Sequence, residues 1–249
     1  MSTLMTTLSA STAALPAAPA SIWPLPNILL TGDSSTGKTT SFRNMPWDKT
    51  AYIDTECKGM PFEVDETFMK HYMPCDDHLA TLAAIERARK MPHIRYVVVD
   101  GFTDFNTKAM IAERRANAGS KDGFAAYKAN TDWIMRILQA CKSRHQITIL
   151  TALPETLTGT TDDGKGSLLL RRARVQGREM EGAVEPAFVY AFVTKFIPTE
   201  ARVEDRYKLL TQSDGYSLAK SPIGAFKDAL IPNDMAAVLR VIEGRISKS

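Results

Sequence analysis

The sequence predicts an α/β protein in which a mostly parallel central sheet is flanked by helices, with antiparallel strands added near the C-terminus. Three observations predict it. Between residues 28 and 151, short apolar runs alternate with segments of helical periodicity, the pattern of right-handed strand–helix–strand crossovers. The run Tyr96-Val97-Val98-Val99 is wholly apolar and rich in β-branched residues, as a strand buried on both faces requires. The first apolar run also leads directly into a glycine loop of the kind that joins a strand to a helix.

The bulk properties agree. At 249 residues, 44% hydrophobic and 24% charged, the chain has room for one large domain or one plus an appendage, and is neither collagen-like nor wholly disordered. It contains no run of about 18 apolar residues, so no membrane span is expected. A net charge of +3 does not by itself imply a nucleic-acid partner; any basic surface must come from local clustering. Three cysteines, Cys57, Cys75 and Cys141, make no disulfide framework, and a reducing cytoplasm is the expected location.

Along the chain, residues 1–26 carry no charged side chain and lack the basic and continuous apolar regions of a secretory signal. They read as a flexible arm whose end, Ile22, Trp23 and Leu25, can dock on the domain or on a neighbouring subunit; residues 27–249 are the folded domain. Ile28-Leu29-Leu30 is the first strand, followed by the glycine loop and a brief helix that Pro46 must end. Ala51–Asp54 is the second. Leu79, Leu82, Ile85 and Ala88 recur at helical spacing within 77–90, with Asp76 or Asp77 as N-cap. After Tyr96–Val99, helices are expected near 106–116 and 124–142, the second placing Trp133, Ile134, Ile137, Leu138 and Cys141 on one side. Ile147–Thr151 returns as a strand. Beyond Pro154 a long polar loop is expected, then strands at 187–197, 205–211 and 215–219, antiparallel because their connections are short, and a helix over Asn233–Glu243.

Gly32-Asp33-Ser34-Ser35-Thr36-Gly37-Lys38-Thr39, with Thr40 following, has the spacing G-x-x-x-x-G-K-[ST]. Glycines let successive N–H groups curl around phosphate oxygens, and the following helix start favours negative charge. Lys38 can reach the β- and γ-phosphates of a nucleotide, and the Thr39 hydroxyl can ligate Mg²⁺. Asp100, at the end of the Tyr96–Val99 strand, is placed to hold a water of the same ion. Glu56, just past the second strand, is placed to orient and deprotonate an attacking water.

These three strings, Gly32–Thr40, Tyr52-Ile53-Asp54-Thr55-Glu56 and Val97-Val98-Val99-Asp100, resemble the core of RecA-type recombination ATPases. Size and C-terminal layout resemble more specifically the phage-encoded RecA-like nucleotide-binding proteins associated with single-strand annealing. The resemblance spans residues 27 to 243 and implies a RecA-like P-loop NTPase fold, ATP and Mg²⁺ as ligands, and Glu56 as catalytic base beside Lys38. It further implies a homo-oligomeric ring or filament on DNA, single-stranded by preference, a phage recombination or single-strand-binding protein as partner, and the bacterial host cytoplasm as location. Two positions depart from that family's pattern. The strand Ile147–Thr151 offers only Thr151 where a Gln or His usually senses the γ-phosphate. Lys220 stands where a Lys-x-Arg pair usually reaches a neighbour's nucleotide, without the arginine.

The resemblance also points two basic stretches at DNA: 113–124, with Arg114, Arg115 and Lys121, and 156–182, with Lys165, Arg171, Arg172, Arg174 and Arg178. Cations in a loop neutralise phosphates whatever the base sequence. The stretch between Gly164 and Arg178 has no aromatic for base stacking, and acids flank it, so a solvated loop is the competing reading. Two other functions share the phosphate loop. One is a small-molecule phosphotransferase with the 164–178 loop as lid; the other is a non-hydrolysing nucleotide-binding assembly module. His71, Cys75 and His78, with Cys57, match no zinc spacing. Phe102, Phe105, Tyr127 and Trp133 read as core rather than as a shelf for a nucleobase.

Overall fold

A computed structural model describes residues 25–160, 167–177, 180 and 182–247. Its strands are β1 (Ile28–Thr31), β2 (Thr50–Asp54), β3 (Tyr72–Pro74), β4 (Tyr96–Asp100), β5 (Ile147–Ala152), β6 (Pro154–Thr160), β7 (Ser167–Ala173), β8 (Tyr190–Phe196), β9 (Tyr207–Leu210) and β10 (Leu230–Pro232). The α-helices are α1 (Glu66–His71), α2 (His78–Arg89), α3 (Phe102–Ala116), α4 (Ala125–Ala140) and α5 (Met235–Ile246). Eight strands form one sheet in the order β10-β9-β8-β1-β5-β4-β2-β3. All neighbours from β8 to β3 are parallel, while β9 and β10 are antiparallel additions at one side. The α/β class with a mostly parallel sheet is therefore as expected.

Side-chain alternation along the strands divides the core into two layers. Leu29, Ile53, Val97 and Val99 face a layer that includes Phe102, Phe105, Ile134, Ile137 and Cys141, contributed by α3, α4 and the turn after α4. Ile28, Leu30, Tyr52 and Val98 face the other, where Phe42, Phe68, Leu239 and Ile242 pack. Helix α2 starts where Asp77 accepts a bond from the Ala80 N–H, and α5 starts in the same way at Asp234. Phe102 and Phe105 are buried and Trp133 packs against that core, as expected; Tyr127 is partly exposed.

Four expectations are corrected. The brief helix after the glycine loop is only a 3₁₀ turn, Thr39–Phe42. Paired β-branched threonines disfavour helix, the Ser41 hydroxyl bonds the Lys38 carbonyl at 2.5 Å, and Pro46 biases the residue before it away from the α region. The strand expected at 187–197 as antiparallel is β8, and it runs parallel to β1, with Ile28 opposite Tyr190. β5 and β8 lie on opposite sides of β1 and both run parallel to it, so the connection between them is a crossover and not a hairpin. The stretch 215–219 makes only one isolated bridge, Ser217 with Arg171, and the next residue, Lys220, bridges Ala191, after the Asp214 carboxylate has captured the Tyr216 and Ser217 N–H groups in a turn.

The polar loop expected after Pro154 is instead the hairpin β6–β7, paired from Pro154 opposite Ala173 to Thr160 opposite Ser167. Thr156 and Thr158 are polar yet β-branched, and that shape suits a strand. Residues 161–166, and with them Lys165, lie outside the described residues, as does Arg178. So do residues 1–24 of the expected arm, including Ile22 and Trp23; Leu25 is buried and its N–H donates to the Ser143 carbonyl at 2.7 Å. Both edge strands of the sheet, β3 and β10, are three residues long and end in proline. Among the described residues no helix is long and apolar enough to cross a membrane.

Candidate functional site

Parallel strands present their carboxyl ends along one edge, and there the predicted residues gather. Lys38, Thr39, Glu56, Asp100 and Thr151 line one cleft of about 320 Å³, together with Ser34, Ser35, Gly37 and Thr40. They arrive from the loops after β1 and β2 and from the ends of β4 and β5.

The glycine loop is held from both sides. Thr36 Oγ1 donates to the Asp33 carbonyl at 2.7 Å and lies 2.5 Å from Thr194 Oγ1 on β8. Gly37 has φ +93°, and a β-carbon there would stand 2.6 Å from Asn233 Nδ2 and 2.8 Å from the Tyr207 ring. Only glycine tolerates both the conformation and the approach. Asn233 Nδ2 donates to the Gly37 carbonyl at 2.8 Å, so the segment before α5 fixes the loop from below. Lys38 folds back, its Nζ donating to the Gly32 and Asp33 carbonyls at 2.8 and 2.9 Å. Burial lowers its pKa, an effect opposed by the charges of Asp100, Glu56 and Asp33. The ammonium thus faces the cleft with its charge disfavoured by burial and supported by nearby carboxylates.

Asp100 collects three hydroxyls. Thr39 Oγ1 donates to its Oδ2 at 2.8 Å, Thr151 Oγ1 donates to its Oδ1 at 2.5 Å, and the Tyr52 hydroxyl also donates to Oδ2. Tyr52 sits within β2, and its ring is buried among Phe42, Trp47 and Phe68. Burial, then the neighbouring Asp100 charge, raises its pKa well above that of a free tyrosine, so it stays a donor. Thr151, expected as a phosphate sensor, is used within the protein: it also accepts the Gly101 N–H at 2.9 Å.

Glu56 is positioned through its own backbone, which the Asp54 carboxylate holds. Asp54 Oδ1 accepts the Glu56 and Cys57 N–H groups at 3.0 and 2.9 Å, while its Oδ2 accepts the Tyr72 hydroxyl at 2.9 Å. The turn this makes puts Cys57 at φ +52°. Thr55 Oγ1 donates to the Gly101 carbonyl at 2.8 Å, tying the β2 exit to the β4 exit. The Lys108 ammonium of α3 donates to the Thr55 carbonyl and, at 3.3 Å, to that of Cys75, while pairing with Asp104 at 2.8 Å. The Glu56 carboxylate itself bonds Lys58 at 2.6 Å, but that lysine is 73% exposed and so a weak holder.

Tyr52, Asp54 and Lys108 are the functional-site residues that sequence reasoning missed. The only available signal was weak: Asp104 and Lys108 are four apart on a helix, the spacing of an ordinary surface pair.

The remaining candidates lie elsewhere. Lys220 bonds Ala191 near the amino end of β8, away from the cleft edge, and burial lowers its pKa against the pull of Glu185. Arg114 and Arg115 occupy the last turn of α3, Arg114 bonding the Tyr127 hydroxyl at 3.1 Å. Arg172 is buried and paired with Glu155 at 2.8 Å, while Arg174 is exposed. Arg171 alone of these reaches the glycine loop, in an ion pair with Asp33. His71 packs on His93 and His78 on Trp133. Among the described residues no three His, Cys, Asp or Glu side chains converge to hold a metal ion.

Compared with models of known protein families and with curated protein sequences, the chain matches none.

Proposed function

We propose that this chain is a magnesium-dependent ATPase of RecA-like P-loop architecture that acts on DNA, preferentially single-stranded, in phage recombination or replication. The observation that carries the proposal is the meeting of Lys38, the Thr39–Asp100 pair and Glu56 on one cleft at the carboxyl edge of a parallel sheet. A nucleotide triphosphate suits that cleft. The Lys38 ammonium exchanges two backbone carbonyls for phosphate oxygens, and the N–H groups of 34–40 supply further donors.

The donor set also suits Mg²⁺, a hard cation that takes oxygen ligands and keeps several waters. Thr39 Oγ1 and Asp100, already 2.8 Å apart, would hold it directly and through water respectively. Among the described residues no cluster of further ligands stands ready, so its remaining ligands would be phosphate and water. When bound, the ion would offset phosphate charge. Glu56, drawn from Lys58, would orient the attacking water and accept its proton, on a backbone that Asp54 and Lys108 hold in place.

The DNA part of the proposal rests on the resemblance and on exposed cations, Arg114, Arg115 and Arg174, to which Lys165 adds by sequence. Arg172, occupied by Glu155, contributes structure instead. A homo-oligomer, as ring or filament, and the bacterial cytoplasm as location belong to the same proposal.

The test is steady-state ATP hydrolysis with Mg²⁺, with and without single-stranded DNA, alongside Glu56→Gln. Turnover stimulated by DNA, and lost in the variant while ATP still binds, is expected. Unchanged turnover in Glu56→Gln would remove Glu56 as base. Hydrolysis indifferent to DNA would leave the ATPase and remove its partner.

A further inference from the structure

We infer that Arg171 contacts the terminal phosphate of the bound nucleotide in cis, and that the Asp33 carboxylate holds its place until the nucleotide arrives. The inference rests on the nucleotide reading above, and it supplies the γ-phosphate sensor that Thr151, committed to Asp100, does not provide.

Three features single out Arg171. First, its position: it is on β7 and its guanidinium pairs with Asp33, whose carbonyl receives the Lys38 ammonium. A lysine in this loop grips the β- and γ-phosphates, so the residue it now bonds flanks the seat of the last phosphate. Second, its burial: the Arg171 side chain is 17% exposed against 57% for Asp33, and its Nε is buried with no hydrogen-bond partner. A guanidinium with an unused N–H has capacity for a second anionic oxygen, and its planar fork fits carboxylate and phosphate alike.

Third, its backbone is anchored on both sides. The Arg171 N–H donates to the Tyr216 carbonyl at 2.8 Å, and its carbonyl accepts the Leu218 N–H at 3.2 Å. The guanidinium carbon lies 5.9 Å from the centre of the Tyr216 ring. The turn carrying Tyr216 is itself fixed by Asp214, which accepts the Tyr216 and Ser217 N–H groups and pairs with Lys195 of β8 at 2.9 Å. A terminal phosphate therefore meets a cation already in place, whose carboxylate partner is on the solvent side and free to swing away. A nucleoside diphosphate leaves Arg171 with Asp33.

The experiment measures affinities of the full chain for ADP and for a non-hydrolysable ATP analogue with Mg²⁺, by titration calorimetry. Arg171→Ala should weaken the ATP analogue about tenfold, about 1.4 kcal/mol, and ADP less than twofold. Asp33→Asn removes the competing carboxylate and should raise the ratio of ATP-analogue to ADP affinity; in the double variant that rise should vanish. A merely structural Arg171 would lower both affinities alike or neither, and either result overturns the inference while leaving the nucleotide reading intact. Equal gains from Asp33→Asn with and without Arg171 overturn it as well. Failure of the unmodified chain to bind either nucleotide overturns both readings together.

Discussion

Replacing Tyr52 by phenylalanine deletes one hydroxyl and leaves a ring of almost the same volume among Phe42, Trp47 and Phe68. The variant therefore isolates the bond to Asp100. A hydrogen bond to a charged group contributes roughly 1.5–3 kcal/mol. Asp100 keeps Thr39 and Thr151 as donors, so the lower part of that range applies, about 1.5–2 kcal/mol. In a chain of this size that lowers the melting temperature by about 3–8 °C at pH 7, readable by circular dichroism. The pH dependence has a definite sign. The fold raises the Tyr52 pKa, so its contribution is complete below the unfolded tyrosine value of about 10 and fades as pH rises past it. The stability gap between the native chain and Tyr52→Phe should accordingly narrow between about pH 9 and 11. A melting shift under about 1 °C at pH 7, or a gap constant across that range, would refute the reasoning.

Gly37→Ala should lose roughly 1–3 kcal/mol of stability from backbone strain alone. Through its approach to Asn233 and Tyr207, it should also lose most nucleotide affinity; urea unfolding and nucleotide titration would measure the two losses. Lys108→Met removes the ammonium from the Thr55 carbonyl, one residue before Glu56, without touching the phosphate loop. It should cut kcat about tenfold while changing the KM for ATP by about twofold or less, whereas equal effects on both would deny it a positioning role. At Asp214, burial opposes ionisation, but the Ser217 N–H, Lys195 and the Tyr216 N–H prevail and hold the pKa at about 2. Its stabilisation is therefore present above the unfolded value of 3.8 and lost as pH falls towards 2. Asp214→Asn should flatten the acid limb of a stability–pH curve below about pH 4 and leave the alkaline limb alone.

What was legible in the sequence was whatever depends on neighbours along the chain. Spacing alone located Gly32–Thr39, the cap of α2 followed from a local side-chain bond, and Tyr96–Val99 announced a central strand by its composition. The convergence of Thr39, Glu56, Asp100 and Thr151 was anticipated because each stands at or just after the carboxyl end of a strand. Lys108 was missed because its partners, the Thr55 and Cys75 carbonyls, are backbone atoms brought near only by the packing of α3 on the sheet. Tyr52 was missed for a similar reason: nothing local distinguishes a core tyrosine from one whose hydroxyl emerges beside a carboxylate. The hairpin β6–β7 was hidden by threonines, which polarity assigns to loops and shape assigns to strands. The direction of β8 depended on where the chain re-enters the sheet, which its own residues do not encode.

The two outer strands, Tyr72-Met73-Pro74 and Leu230-Ile231-Pro232, bear on how copies of this chain can associate. An open sheet of eight strands would ordinarily offer two ribbons of unpaired peptide groups as templates for growth. Here each ribbon is a single short step, and each gives up one donor to a pyrrolidine ring. Sheet-to-sheet continuation between molecules is thereby poorly supplied with hydrogen bonds. At these two edges, any ring or filament would be joined by side chains instead. Its joints could then respond to a ligand at the cleft, because side-chain contacts rearrange at far lower cost than a backbone ladder.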